Sequence, residues 1–364
     1  MHYFRILPCL LVCLVVECLA FNATAWSWDK ETEIAPFPVI YYSPETSLGL
    51  GAMAVVTFRD KDGDKRDRPD SLSLIGSYTL ENQMSIEVSP DFFFNDQRAE
   101  LKCVAGYADM PSLFYGIGNG AELDADELSD MEEEYAIKST YLGASFVHQI
   151  YQKLRLGMNY IFKHNRLYDK EDNNSIDREN LPGNDGGVTS GAGPSVDWDT
   201  RDNMFYPTSG GWYRLDITFY RDWLGSDFEY SRYQLDLRHF FTLSTEHILA
   251  VQAVAAQVDG DVPFYDLLFP LVRGIDKRFF VDEKMLTFQA EYRFPIYHRF
   301  SGAAFIGVGD AERNWSDFEF EEIKYGCGAG IRYALNANEK INIRFDISAS
   351  PWGVAPYIAL QEMF

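Results

Sequence analysis

The stretch Ile341-Asn-Ile-Arg-Phe-Asp-Ile-Ser348, followed by Pro351-Trp-Gly-Val-Ala-Pro-Tyr-Ile-Ala-Leu-Gln-Glu-Met-Phe364, carries the pattern that decides the fold. Ile341, Ile343, Phe345 and Ile347 share one parity, and Asn342, Arg344, Asp346 and Ser348 share the other. Successive side chains of a strand point to opposite faces. One face here is therefore apolar and the other charged, which suits a barrel strand with lipid outside and a wet lumen inside. An edge strand that happens to end in Phe would share the last feature, so the rest of the chain has to decide.

The alternation recurs. Tyr233, Leu235, Leu237 and Phe241 oppose Arg232, Gln234, Asp236 and Arg238; Leu286, Phe288, Ala290, Tyr292 and Phe294 oppose Thr287, Gln289, Glu291 and Arg293; Leu154, Leu156, Met158, Tyr160 and Phe162 oppose Arg155, Asn159 and Lys163. Charges on one face of so many strands fit a water-lined lumen, not a packed core. Candidate strands fall at 37–43, 48–59, 71–80, 84–94, 98–107, 135–149, 154–168, 189–199, 211–223, 228–243, 247–258, 284–296, 299–309, 322–335, 339–349 and 354–364. The fold class expected is an all-β, closed antiparallel transmembrane barrel of about 16 strands, an even number as in bacterial barrels. No amphipathic helix of useful length is expected.

Bulk properties agree. Mean hydropathy is −0.23, and beyond the first residues no apolar run is long enough for a membrane helix. Aromatics make up 15% of the chain, with 22 Tyr and 27 Phe, enough for the interface girdles of a barrel. A net charge of −23 excludes nucleic acid as a partner on electrostatic grounds.

Residues 1–25 read as a signal peptide: Arg5 precedes an apolar run from Ile6 to Ala20, and cleavage fits after Ala20 or Ala25. No lipobox precedes Cys9, Cys13 or Cys18. Residues 26–364 then form one barrel, with Cys103 and Cys327 as two lone cysteines. Long connections at 108–134, 169–188, 259–283 and 310–321 fall on one side. Tight ones at Gln152-Lys153, Ser244–His247, Tyr297-His298 and Asn336–Glu339 fall on the other. The charged segment Asp60–Asp70 falls on the tight side, so that turn is long or the first strands are miscounted.

Val196-Asp-Trp-Asp-Thr-Arg-Asp-Asn-Met-Phe-Tyr-Pro-Thr-Ser-Gly-Gly211, Val272-Arg-Gly-Ile275, Gly328-Ala-Gly-Ile-Arg332 and Ile343-Arg-Phe-Asp346 occur in that order before Phe364. Together they resemble the signatures of the BamA/TamA-type bacterial surface-antigen family, with motifs recognisable from about residue 189 to the end. The resemblance implies an outer-membrane location, lipid as the surroundings, and assistance in inserting or translocating proteins. It implies unfolded client proteins as partners. No receiving POTRA modules are read in this sequence, which leaves three alternatives: a periplasmic partner in their place, a narrow client set, or lipid export. A passive pore or a lipid or small-molecule exporter is the alternative.

The resemblance further implies a sixth outside loop folded into the lumen, with Val272, Arg273, Gly274 and Ile275 as a lid lock. Counting hairpins places Arg273 in that loop independently. A buried Arg needs a partner. The family's acid sits in F-x-D-x-G, which here reads Phe305-Ile-Gly307-Val-Gly309, so Asp346 or Asp310 is the candidate substitute. The resemblance also implies weak closure between first and last strands, and Pro38 suits such a seam and an ordinary strand start equally. Tyr357 and Phe364 read as a C-terminal assembly signal. Asp199, Arg201, Asp202, Pro207 and Gly210 read as a turn fixed by side-chain to backbone bonds.

No catalytic, metal or cofactor site is expected. Asp60-Lys-Asp-Gly-Asp64 lacks the Gly and Glu placement of an EF-hand. The acidic run Glu122–Glu134 reads as a solvated loop. His148, His164, His239, His247 and His298 group with no serine nucleophile, and no G-x-S-x-G occurs.

Overall fold

The computed structural model describes residues 30–60, 68–118, 125–172, 174–204, 206–336 and 341–364. The signal-peptide reading, residues 61–64 of the EF-like segment, 122–124 of the acidic run and 337–339 of one tight turn lie outside them.

Sixteen strands form one closed barrel. They are β1 (Lys30–Ser43), β2 (Ser47–Asp60), β3 (Asp70–Thr79), β4 (Met84–Phe94), β5 (Ala99–Phe114), β6 (Glu133–Tyr151), β7 (Leu154–Tyr168) and β8 (Gly187–Asp199). They continue as β9 (Gly210–Tyr220), β10 (Tyr230–Ser244), β11 (His247–Gly260), β12 (Lys284–Tyr297), β13 (Phe300–Glu312), β14 (Lys324–Asn336), β15 (Ile341–Ser350) and β16 (Gly353–Leu360). Each pairs antiparallel with its neighbours in sequence, and β16 returns to β1. Among the described residues no helix is long and apolar enough to cross a membrane. Among the described residues two short α-helices, α1 (Ala125–Asp130) and α2 (Ser175–Arg178), sit in the long connections.

Parity works as the alternation predicts. Ile343, Phe345 and Ile347 are exposed on the outer face, while Asn342, Arg344, Asp346 and Ser348 are buried on the inner one. β2 ends at Asp60 and β3 starts at Asp70, so the strands before that connection were not miscounted. The two boundaries that move furthest outward are the start of β1 and the end of β5. β1 starts at Lys30, because its full length pairs with β2 although Glu31 and Glu33 carry no apolar alternation. β5 runs on to Phe114, paired with Glu133 of β6, which shortens the connection expected from 108.

The far boundary moves inward. β16 ends at Leu360, not at 364. Gln361 has φ 64°, Glu362 is drawn to Arg332 at 3.1 Å, and Phe364 packs against Phe240 and Ala250 inside the barrel. Ion pairing of Glu362 outweighs continuation of the strand.

Candidate functional site: the lid and the seam

The connection between β11 and β12 enters the barrel as a narrow hairpin, in which Leu268 and Asp282 exchange backbone hydrogen bonds at 2.8 and 2.9 Å. Its tip lies flat on the inner face of β13 and β14, and three glycines allow this. A Cβ on Gly309 would stand 2.8 Å from Pro270 Cβ, on Gly307 3.1 Å from Val272 Cγ1, and on Gly326 2.2 Å from Arg273 O. Gly274 turns the chain with φ 98°, a region glycine occupies without a Cβ penalty.

Arg273 projects from this tip into a buried ion cluster. It reaches Glu291 of β12 at 2.8 Å and Asp346 of β15 at 2.9 Å, with its guanidinium carbon 3.4 Å from the centre of the Phe305 ring. Arg293 bonds Glu291 at 2.8 Å, Arg344 bonds Asp346 at 3.0 Å, and Arg332 bridges Glu291, Asp346 and Glu362. Arg293 also donates to the Phe364 carbonyl at 2.9 Å. Arginine suits this role because its planar fork can serve two carboxylates at once.

The rest of the lid is held differently. Phe264, Leu267 and Leu268 pack with Ile176 of α2, Phe228 and Tyr230. Within that apolar cluster Asp266 accepts from Tyr230 Oη at 2.5 Å and pairs with Lys163 at 3.3 Å. Val272, Ile275 and Phe280 pack with Leu128 of α1, and Trp352 stands edge-on to Phe280 at 4.8 Å. Gly274 N–H donates to Tyr357 Oη at 2.9 Å.

The barrel closes poorly at one place. β1 and β16 share a single registered pair, Tyr42 with Ile358, among the described residues. The neighbouring ladders carry eight or more. Pro36 and Pro38 in β1 and Pro356 in β16 offer no ladder donor.

A closed barrel of this strand count, an inserted lid bearing Val-Arg-Gly and an imperfect seam invite comparison with known proteins. Residues 68–350 match the Omp85 superfamily domain. The chain belongs to the Omp85 superfamily. Among solved structures, BamA from Haemophilus ducreyi lacking POTRA domains 1–3 matches over 91% of this chain and 70% of its own. Its TM-score is 0.63 at 12% identity. CdiB from Acinetobacter baumannii (TM-score 0.55, 9% identity) and CdiB from Escherichia coli (0.58, 10%) each cover 91% of this chain, and are themselves covered over 65% and 67%. These identities support likeness of fold. No curated protein sequence matches the chain.

Within this Omp85 barrel the positions singled out in the sequence separate. Asp346 meets Arg273; Asp310 does not, because it is held 2.5 Å from Lys324. The acid that sequence reasoning missed is Glu291. It lies directly across the β12–β13 ladder from Phe305, the first residue of the altered F-x-D-x-G pattern. Its inward parity was the available signal. Asp202 accepts from the backbone of Thr208 and Ser209 at 2.8 and 3.1 Å, Asp199 holds Arg201 at 2.8 Å, and Gly210 turns with φ 87° three residues after Pro207. That segment is a built turn. Tyr357 faces the lumen and serves the lid, and Phe364 is buried inside, so neither projects from the outer face. Among the described residues no group of His, Cys, Asp or Glu is arranged around a metal position.

Proposed function

We propose that this chain is a bacterial outer-membrane barrel that helps insert polypeptides into that membrane, or move them across it, by opening between β1 and β16. The observation that carries the reading is the single registered pair at the seam. From Lys30 to Tyr41 the edge of β1 that faces β16 has no partner strand among the described residues. Such an edge is a template on which an extended segment can add as a strand. The lid lock keeps the β12–β15 side of the lumen filled while the seam works. A client polypeptide in the outer membrane and a periplasmic partner that delivers it belong to the same proposal, and no covalent chemistry is involved.

The experiment is a reversible staple. In a Cys103→Ser, Cys327→Ser background, Tyr42→Cys and Ile358→Cys face each other across the seam, and oxidation locks it. Insertion of a reporter barrel by proteoliposomes is expected to stop on oxidation and to return with dithiothreitol. Equal insertion in both states would remove the seam from the mechanism. A passive pore is the second reading, favoured by the open chamber of about 610 Å³ left in the lumen. It requires steady wild-type conductance, unchanged in Arg273→Ala.

A further inference from the structure

The lumen wall is not uniform. Cross-strand partners share a face, and three rows run inward across β1 to β4: Ala35–Val55–Ser73–Ser89, Phe37–Met53–Ile75–Glu87, and Val39–Gly51–Ser77–Ser85. Tyr41, of the same parity, donates to Ser77 Oγ, and Glu87 accepts from Tyr141 across the lumen wall. Ile34, Ile40, Leu50 and Leu74, of the opposite parity, are exposed on the outer face. Phe37, Val39, Met53, Val55 and Ile75 therefore turn an apolar strip to the lumen. Phe37 is 39% exposed there, and none of the five belongs to the clusters the lid forms. On β12 to β15 the same inward face carries Glu291, Arg293, Arg332 and Asp346.

The strip borders, through Ser73, Ser89 and Glu87 at the ends of its rows, a chamber of about 610 Å³ whose walls run from Ser71 and Ser73 on β3 to Arg214 on β9 and Arg232 on β10. Most charges bordering it are satisfied. Lys102 pairs with Glu100 and Asp91, Arg214 with Asp216, and Lys163 with Asp266; Glu87 accepts from Ser89 and Tyr141. Arg232 differs: it bonds Gln234 at 3.4 Å and has no carboxylate within ion-pair distance among the described residues.

We propose that this open half of the lumen binds a phosphate-bearing membrane lipid, admitted sideways through the seam, with its acyl chain on the β1–β3 strip and its phosphate at Arg232. The strip begins on β1 itself, so it adjoins the place where the barrel is least closed. A guanidinium matches phosphate oxygens in geometry and charge. A client strand added to β1 would use that strand's backbone edge and leave both the strip and Arg232 unserved. An amphiphile serves both.

The test uses the whole barrel in nanodiscs of phosphatidylglycerol doped with dioleoylglycerol. The photo-crosslinker p-benzoylphenylalanine replaces either Phe37, facing the lumen, or Ile40, facing outward. Adducts are weighed after irradiation. Lipid adducts are expected at both positions, with phosphatidylglycerol enriched over diacylglycerol at 37 relative to 40. Arg232→Gln is expected to reduce that enrichment roughly tenfold, as for loss of a charge-assisted hydrogen bond. Met53→Asn, which keeps Arg232, is expected to cut the adduct at 37 and spare that at 40. Adducts at 40 alone, the same lipid ratio at both positions, or capture of polypeptide instead of lipid at 37 in cells would each overturn the proposal. Heat-shifted gel migration and labelling at 40 establish that each variant is folded.

Discussion

Gly274 donates its backbone N–H to the Tyr357 hydroxyl at 2.9 Å, which ties the tip of the lid to the last strand of the barrel. Ser350 Oγ adds a bond to Gly274 O at 2.7 Å. Among the described residues no hydrogen bond or ion pair joins the lid to β1. The lid is thus bonded to the β16 edge of the seam and not to its β1 edge. If β1 swings away, the lid can stay where it is. Tyr357→Phe leaves that backbone N–H unsatisfied, a cost of about 1–3 kcal/mol. The expected outcome is more frequent current steps in planar bilayers with the barrel still heat-modifiable. Unchanged traces would show that the hydroxyl does not restrain the lid.

The ion cluster makes an asymmetric prediction. Four arginines (273, 293, 332 and 344) face three carboxylates, Glu291, Asp346 and Glu362. Arg273→Ala removes a charge that is in excess and frees the lid. Asp346→Asn strips a shared acid from three arginines, and breaking such a buried pair costs about 3–5 kcal/mol. The expected order of thermal stability is wild type, then Arg273→Ala, then Asp346→Asn, read from the temperature at which the unboiled gel shift is lost. The reverse order would mean that the arginines find other acids or water. Arg273→Lys is expected to behave like Arg273→Ala in conductance, since one ammonium cannot span Glu291 and Asp346 as the fork does.

What the sequence made legible follows from what alternation encodes. Parity alone places Arg344 and Asp346 inside and Phe345 outside, and sixteen such segments with turn residues between them define the barrel. Alternation is silent where pairing, not burial, makes the strand, as at Glu31 and Glu33 of β1. It is also silent on which inward acid meets which inward base. The family pattern pointed to position 307, but the acid stands across the ladder at Glu291, and no linear motif spans two strands. The inturned end was hidden for the same reason: Glu362 leaves the strand for Arg332, a partner 30 residues away.

The glycine wall yields a test free of charge changes. A Cβ on Gly326 would stand 2.2 Å from the carbonyl oxygen of Arg273, a contact that only movement of the lid or the strand can relieve. Gly326→Ala is expected to lift the lid tip and to raise mean conductance toward that of Arg273→Ala. Gly353→Ala is the control for handling, because a Cβ there meets nothing within 4 Å, though its φ of 133° costs some local strain. If Gly326→Ala conducts like the wild type, the lid does not rest on β14 as described.

The turn between β8 and β9 predicts a pH dependence. Burial pushes the Asp202 carboxyl up, but the Thr208 hydroxyl and the N–H groups of Thr208 and Ser209 push it further down, leaving it below the usual carboxylate value. A depressed pKa means the folded state favours the anion. The stability it adds is complete above the unfolded pKa, near 4, and is lost as pH falls through the lower folded value. Asp202→Asn removes that contribution. The wild type is therefore expected to unfold at a higher temperature than Asp202→Asn at pH 7, and the gap should narrow as pH is lowered from about 4. A gap that stays constant down to pH 2 would assign the difference to the amide's altered hydrogen bonding and not to the charge of Asp202.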